Sequence, residues 1–254
     1  MTHSIPIPNS SSLPFCKLNG PVMSEMLKIE NVGKDFTLHT QGSATIPVFK
    51  NINFQLSAGE CVALTGQSGA GKSTFMRMVY ANYICQEGAI KVFHDGNWLE
   101  VTSATPHDIL EMRKHTMGYV SQFLRVIPRV STLDIVSEPL VHIGASEEAA
   151  KDKAAILLAR LNIPENLWSL SPLTFSGGEQ QRVNIARGFI ADYPVMLLDE
   201  PTASLDAANR QTVLDLIDEA KMRGSAILGI FHDQAARDAV CTGSFDVTQY
   251  HVGN

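Results

Sequence analysis

One nine-residue stretch constrains this chain more than any other, Gly66-Gln67-Ser68-Gly69-Ala70-Gly71-Lys72-Ser73-Thr74. It follows an apolar run, residues 61–64, and precedes a segment with helical spacing, so the context is strand, loop, helix. The glycines let consecutive backbone N–H groups turn inward around an anion, Lys72 can reach terminal phosphates, and the Ser73 hydroxyl can bind Mg²⁺. A chance match is the alternative, but the stretch predicts a nucleotide phosphate site.

Composition limits the classes of protein that the chain can belong to. With 254 residues and 44% hydrophobic residues, it can bury one large core as a single globular unit. A net charge of -6 argues against a nucleic-acid-binding surface, which needs clustered Lys and Arg. Four scattered cysteines without C-x-x-C spacing indicate reduced thiols in a cytoplasmic protein. No apolar run is long enough to span a bilayer, so we expect any membrane link to come through a partner.

The N-terminal region divides into an extension and a strand-rich segment. Residues 1–25 are rich in Ser, Pro and Asn and lack the pattern of a secretory signal, which predicts a disordered extension. Translation from Met23 or Met26 would remove most of it, and a compact domain is then expected at 26–249. Alternating apolar residues predict strands near residues 27–32, 48–49 and 52–56, forming an antiparallel sheet beside the phosphate loop.

Beyond the phosphate loop, further strands and helices follow in order. Strands are predicted at 90–93, 98–99 and 118–122, and a helix at 106–115. From Ser131 to Leu170 the apolar spacing becomes helical. We therefore expect a helical subdomain, at about 125–190, inserted between two halves of an α/β core.

Polar side chains follow three predicted buried strands, at the point where each strand ends. Asp199 and Glu200 close the apolar run that begins at Val195, Gln122 closes another strand, and His232 follows the last. A carboxylate in such a place can hold Mg²⁺, and its neighbour can orient or activate the attacking water. Each alone could be a solvated strand end, and a single histidine is more often structural.

Two further segments indicate nucleotide binding only because the same chain contains the phosphate loop. Ser176-Gly177-Gly178-Glu179 places an N-cap serine and exposed glycine N–H groups at a helix start, which makes a second anion site or an ordinary turn. Phe36, at the end of the first strand, could stack on adenine or belong to the core.

In the order and spacing of these motifs, residues 26–249 resemble the ATP-binding-cassette ATPase family. The resemblance implies an α/β P-loop ATP-binding-cassette fold with an antiparallel β subdomain and an inserted helical subdomain. It also implies ATP and Mg²⁺ as ligands, and a homodimer, or a dimer with a related cassette, pairing head to tail. ATP would lie between the phosphate loop of one cassette and the Ser176 signature of the other.

The same resemblance assigns a role to each motif. Phe36 would stack on adenine, Ser73, Gln122 and Asp199 would lie near Mg²⁺, and Asp206 in the Ser204-Leu205-Asp206 loop would lie at the nucleotide. Glu200 would be the catalytic base and His232 would contact the γ-phosphate. Two positions depart from the usual pattern, Phe175 where Leu is common and Phe36 where Tyr is common, and neither removes a reacting group.

A narrower resemblance is to the PhnL family of the carbon–phosphorus lyase system. It rests on four segments, at residues 119–130, 160–164, 174–189 and 229–233. It implies an ATPase subunit in alkylphosphonate breakdown that supports synthesis of ribose 1-methylphosphonate 5-triphosphate within a soluble complex. Phe123 to Val130, with Arg125 and Arg129, would be the docking surface, unless its apolar residues pack under the helical subdomain.

Two other functions stay open at this point. The first is the ATPase subunit of a membrane ABC transporter, of the lipoprotein-releasing or exporter type. The second is a nucleotide-dependent scaffold without turnover, against which the complete set of catalytic residues weighs.

Overall fold

The computed structural model describes residues 24–38, 44–124 and 128–252. Within these ranges the strands are β1 (Glu25–Leu38), β2 (Ala44–Ser57), β3 (Cys61–Thr65), β4 (Glu87–His94), β5 (Asn97–Glu100), β6 (Met117–Val120), β7 (Val195–Asp199), β8 (Ala226–Ile230) and β9 (Gly243–Asp246). The α-helices are α1 (Lys72–Val79), α2 (Pro106–His115), α3 (Thr132–His142), α4 (Glu147–Arg160), α5 (Gly177–Phe189), α6 (Ala207–Met222) and α7 (Gln234–Val240). The predicted extension falls almost wholly outside these ranges.

Four strands form an antiparallel sheet in the order β2-β1-β4-β5, which confirms the sheet expected beside the phosphate loop. The separate strands predicted near 48–49 and 52–56 are wrong, because both segments belong to the single strand β2. Lys50 and Asn51, which lie between the two segments, do not end the pairing of β2 with β1. Asn51 adopts a positive φ of 55°, and a register shift between Val32 and Lys34 of β1 lets pairing continue past it.

The second sheet is parallel throughout, in the order β6-β7-β8-β3-β9. Every residue of β7 and β8 is buried, as expected for central strands covered on both faces. Because the carboxyl ends of parallel strands meet at one edge, the residues that follow β3, β6, β7 and β8 are gathered there. This edge holds the phosphate loop and the three polar strand ends.

Two buried clusters fix this edge from opposite sides. One lies between the two sheets, where Phe75 of α1 packs with ring centroids 6.3 Å from Phe49 and 6.4 Å from Phe54. The other joins α3, α4 and α5 to the far face of the parallel sheet. Among the described residues, none of the helices combines the length and the hydropathy that a transmembrane span requires.

Helix α5 approaches β6 closely at a glycine. A Cβ added to Gly188 would lie 2.3 Å from Cγ2 of Val120, a buried side chain that has no room to move. The contact therefore depends on the absence of a side chain at Gly188, and it holds α5 beside the strand that leads to Gln122.

We expect Gly188→Ala to lower the free energy of unfolding by about 1–3 kcal/mol, because overpacking exceeds the gain in helix propensity. Gly243→Ala is the control, since a Cβ there would meet nothing within 4 Å. Urea unfolding of both variants measures the difference. Equal stability of Gly188→Ala and the parent would show that α5 and β6 are not tightly packed.

Candidate functional site

The phosphate loop is built on three glycines with positive φ. Gly66, Gly69 and Gly71 have φ of 134°, 83° and 88°, a region that L side chains rarely adopt. A Cβ at Gly71 would also lie 2.3 Å from Cζ of Phe49. The loop conformation therefore requires glycine at these places, for reasons that the motif alone did not show.

The loop and the start of α1 present cationic and N–H groups to the same space. Lys72 Nζ donates to the carbonyls of Gly66, at 2.8 Å, and Gln67, at 2.9 Å, so its ammonium lies across the loop. Gly71 is the N-cap of α1 and provides no side-chain cap. The first N–H groups of the helix remain available to an anion.

Asp199, at the end of β7, is a buried carboxylate with one unsatisfied oxygen. The residue is 2% exposed, and the Tyr119 hydroxyl donates to its Oδ2 at 3.2 Å. Burial raises the pKa of Asp199, while its hydrogen bonds with Tyr119 and Ser73 act in the opposite direction. Its Oδ1 has no hydrogen-bond partner among the described residues.

These groups fit a hydrated Mg²⁺ shared with a nucleotide. Mg²⁺ takes hard oxygen ligands and usually few of them from protein, and Asp199 Oδ1 and the Ser73 hydroxyl are of that kind. The Gln122 amide has an oxygen to add to them. In the described part of the chain, no three His, Cys, Asp or Glu side chains are grouped as a metal site of their own, so the nucleotide would have to complete the coordination.

Glu200 is held by side chains from both neighbouring strands. Gln122 Nε2, after β6, donates to Glu200 Oε2 at 3.2 Å, and His232 Nε2, after β8, lies 2.6 Å from Oε1. Glu200 has a positive φ of 56°, unusual for a residue with a side chain. Its backbone N–H donates to the Ile230 carbonyl at 3.0 Å, which stabilises that conformation.

A cleft opens beside this carboxylate. Glu200 and His232 line it together with Ser204 and the ion pair of Arg210 with Asp233, whose nitrogen and oxygen lie 2.8 Å apart. Glu200 is thus accessible from the solvent side, which a residue that accepts a proton from water requires.

The Ser176 segment forms a helix start with a capping box. The Ser176 N–H donates to Glu179 Oε2 at 2.9 Å, and the Glu179 N–H donates back to the Ser176 hydroxyl at 3.4 Å. The Ser176 hydroxyl donates to Glu179 Oε2 at 2.7 Å, and this bond, together with that from the Ser176 N–H, lowers the pKa of Glu179. A Cβ on Gly177 would meet nothing within 4 Å, and one on Gly178 would lie 3.3 Å from the Ser204 carbonyl.

The single chain therefore assembles part of the predicted site. The phosphate loop, Asp199, Glu200, Gln122 and His232 lie along one sheet edge. No hydrogen bond among the described residues joins the Ser176 segment to the phosphate loop. Asp206 caps α6, accepting from the Asn209 N–H at 2.8 Å. The side chains of Phe36 and Arg125 lie outside the described residues, so their roles stay predictions.

Sequence reasoning missed three residues that support the site. Tyr119 donates to Asp199, and the guanidinium of Arg77, on α1, opposes the rise in the pKa of Asp199. Gln181 Nε2 donates to the Glu200 carbonyl at 3.3 Å. The register that pairs Tyr119 with Leu197 brings the tyrosine beside β7, and no spacing along the chain reveals it.

Comparison with known proteins gives a consistent result. Residues 49–203 match the family model described as "ABC transporter". The chain is 32% identical over 218 residues to the macrolide export ATP-binding/permease protein MacB of Escherichia coli, covering 85% of this chain and 32% of that protein. It thus spans about a third of the length of that relative.

Other relatives are matched over most of their length. The lipoprotein-releasing system ATP-binding protein LolD of Aquifex aeolicus is 34% identical over 213 residues, covering 84% of this chain and 89% of LolD. A dimeric structure of the ATP-binding cassette MJ0796, in a post-hydrolysis state bound to ADP and Pi, superposes with a TM-score of 0.78. It is 26% identical, and the match covers 88% of this chain and 95% of that one.

The contact between Tyr119 and Asp199 leads to a test of Mg²⁺ binding. Tyr119→Phe removes the donor to Oδ2, so the carboxylate loses its orientation, and the Mg²⁺ concentration giving half-maximal ATP turnover should rise about 10-fold. Tyr80→Phe is the matched control, because that ring packs 5.0 Å from Tyr119 and forms no hydrogen bond with Asp199. An unchanged Mg²⁺ dependence in Tyr119→Phe, at an unchanged melting temperature, would remove Tyr119 from the site.

Proposed function

The chain belongs to the ABC transporter family of ATPases, and we propose that two cassettes pair around ATP and hydrolyse it to drive a membrane permease. One observation carries the proposal. Glu200 is fixed by Gln122 and His232 at the edge of the sheet that also carries the phosphate loop. A carboxylate so held, next to a site for the γ-phosphate, is placed to receive a proton from an attacking water.

In this proposal each residue of the edge has a distinct task. Lys72 turns from the carbonyls of Gly66 and Gln67 to the phosphates, and the N–H groups of the loop and α1 surround them. Mg²⁺, when bound, neutralises developing charge on the phosphate oxygens. Asp199 and Ser73 would hold it, Glu200 takes the proton of water, and His232 orients Glu200 while remaining within reach of the γ-phosphate.

Pairing explains why the Ser176 helix start is not bonded to the phosphate loop. The start of α5 presents free N–H groups on an exposed surface, and a second anion site in a chain with a phosphate loop calls for one shared nucleotide. The dimeric structures of MJ0796 support such an arrangement. We propose a homodimer or a pair with a related cassette.

The permease is proposed from the relatives. MacB and LolD are named for macrolide export and lipoprotein release, and YtrE of Bacillus subtilis, 31% identical over 96% of its length, is named an ABC transporter ATP-binding protein. These names favour an exporter or lipoprotein-releasing type of system, with the cassette on the cytoplasmic side of the membrane. They give no support to phosphonate degradation.

The soluble phosphonate-degrading complex is a second candidate, which rests on the resemblance of four segments to the PhnL family and would dock at Phe123 to Val130. Phe123 is 73% exposed and Arg129 is exposed, so the part of Phe123 to Val130 that the structure describes presents both an aromatic ring and a guanidinium. Such pairs suit a protein interface. This surface fits either partner, and only the partner distinguishes the two functions.

Glu200→Gln separates binding from chemistry. The amide keeps the shape and the contacts with Gln122 and His232 but cannot take a proton, so turnover should fall by about 100-fold or more while ATP still binds. Size-exclusion chromatography should show a dimer that retains ATP. Glu219→Gln, in a surface pair with Arg160, is the matched carboxylate-to-amide control and should keep parental turnover. Retained turnover in Glu200→Gln would place the base elsewhere.

Purification of the tagged chain from its own cells, in mild detergent, distinguishes the two partners. We expect an integral membrane permease to co-purify, and Phe123→Ala with Arg129→Glu to reduce the recovered permease about 10-fold while basal ATP turnover persists. Leu110→Ala, at an exposed apolar position on α2, serves as control. Recovery of soluble phosphonate-degrading proteins instead, with lost growth of the double variant on methylphosphonate, would establish the second candidate.

A further inference from the structure

Two cysteines far apart in sequence meet at the amino-terminal end of the parallel sheet. Cys61 is the first residue of β3 and fully buried, whereas Cys241, directly after α7, is half-buried. Their Sγ atoms lie 3.7 Å apart, within hydrogen-bond distance for sulfur. Neither residue takes part in the site around Glu200.

The backbone holds the two sulfurs as neighbours. Thr242, the residue after Cys241, donates its N–H to the Cys61 carbonyl at 2.7 Å and its hydroxyl to the same carbonyl at 3.0 Å. The Cys61 N–H donates to that hydroxyl at 3.1 Å. Three hydrogen bonds, one between backbone groups and two through the Thr242 hydroxyl, therefore clamp the chain beside Cys241 to Cys61.

The charges around the pair favour a thiolate at Cys241. Lys221 Nζ donates to the carbonyl of Val240, at 2.6 Å, which places an ammonium next to Cys241. The hydrogen bond from the Cys61 thiol lowers the pKa of Cys241, and Lys221 and Arg237 act in the same direction, against burial and Asp238. The same bond, with burial and Asp218, raises the pKa of Cys61.

Cys85 provides an internal contrast. Its thiol donates to the Glu87 carbonyl at 2.8 Å, no second sulfur lies beside it among the residues that the structure describes, and burial raises its pKa. The third cysteine that the structure describes has Lys34 as a cationic neighbour, whose ammonium donates to the Ile84 carbonyl at 2.9 Å, but it lacks the thiol partner of Cys241.

We propose that Cys61 and Cys241 form a dithiol site that peroxides oxidise to an intrachain disulfide. The Cys241 thiolate attacks hydrogen peroxide, breaking its O–O bond to give a sulfenic acid and hydroxide. The Cys61 thiol then attacks that sulfur, forming the S–S bond and expelling hydroxide, which leaves as water with the Cys61 proton. The sulfurs of Cys241 and Cys61 lose two electrons in total, and the peroxide accepts them.

The geometry suits the order of these steps. A peroxide can reach the half-buried Cys241 but not Cys61, and the buried thiol then acts as the resolving group from 3.7 Å away. Closure to a bond of about 2 Å needs side-chain rotation and a small backbone shift. The bridge would join the end of α7 to the start of the strand that leads into the phosphate loop.

The test treats the full-length protein with hydrogen peroxide and maps its thiols by mass spectrometry of a non-reducing digest. We expect a cross-link between the peptides of Cys61 and Cys241, the loss of two hydrogen atoms, and full reversal by dithiothreitol. On the untreated folded protein, iodoacetamide should alkylate Cys241 about 10-fold faster than Cys85 at neutral pH.

Three variants complete the experiment. Cys241→Ser should abolish the cross-link and leave Cys61 reduced, whereas Cys61→Ser should leave a Cys241 sulfenic acid that dimedone captures. Cys85→Ser, the matched control, should cross-link as the parent does. Overoxidation of Cys241 without a cross-link in the parent, or faster alkylation of Cys85 than of Cys241, would overturn the proposal. The alkylation rates decide it even where a serine variant does not fold.

Discussion

The parallel pairing of β7 with β6 on one side and β8 on the other is the constraint on which the site depends. Each strand is short and apolar, and its polar residues come only where the strand ends. Parallel strands in register bring those ends to one edge. Gln122, Glu200 and His232 therefore meet although they are distant in sequence, and a one-residue slip of β7 would turn Asp199 to the opposite face.

Placing a carboxylate at the end of a buried strand has an energetic cost that the surroundings must offset. Asp199 is nearly inaccessible, and an isolated buried carboxylate would take up a proton. The Tyr119 hydroxyl satisfies one oxygen, and the other is left for a cation. Glu200 depends on its neighbours in another way, since bonds to Ile230 and Gln181 hold its left-handed backbone. Both residues are thus pre-organised by groups that do no chemistry themselves.

Much of this could be predicted from sequence because the signals are local. The phosphate loop, the N-cap at Ser176 and the apolar strands each follow from a few adjacent residues, and the order of motifs gave the family and fold. The supporting contacts could not be predicted, since Tyr119 and Cys241 act through strand pairing between residues some 80 and 180 positions apart. Strand β2 was divided wrongly because a bulge, invisible in the apolar pattern, carries the ladder past Asn51.

The capping box at Ser176 shows that the start of α5 is formed within a single chain and does not require a partner. The Ser176 hydroxyl and the Glu179 carboxylate satisfy each other and the adjacent N–H groups, which fixes the start of α5 within one chain. The helix that carries Gly177 and Gly178 packs against β6, α3 and α4, so its start is held in place by contacts within the chain. In the proposed pair, both halves of the site would thus be shaped within one chain, so association would cost mainly the loss of overall motion, and a bound nucleotide could supply the contacts that hold the pair together.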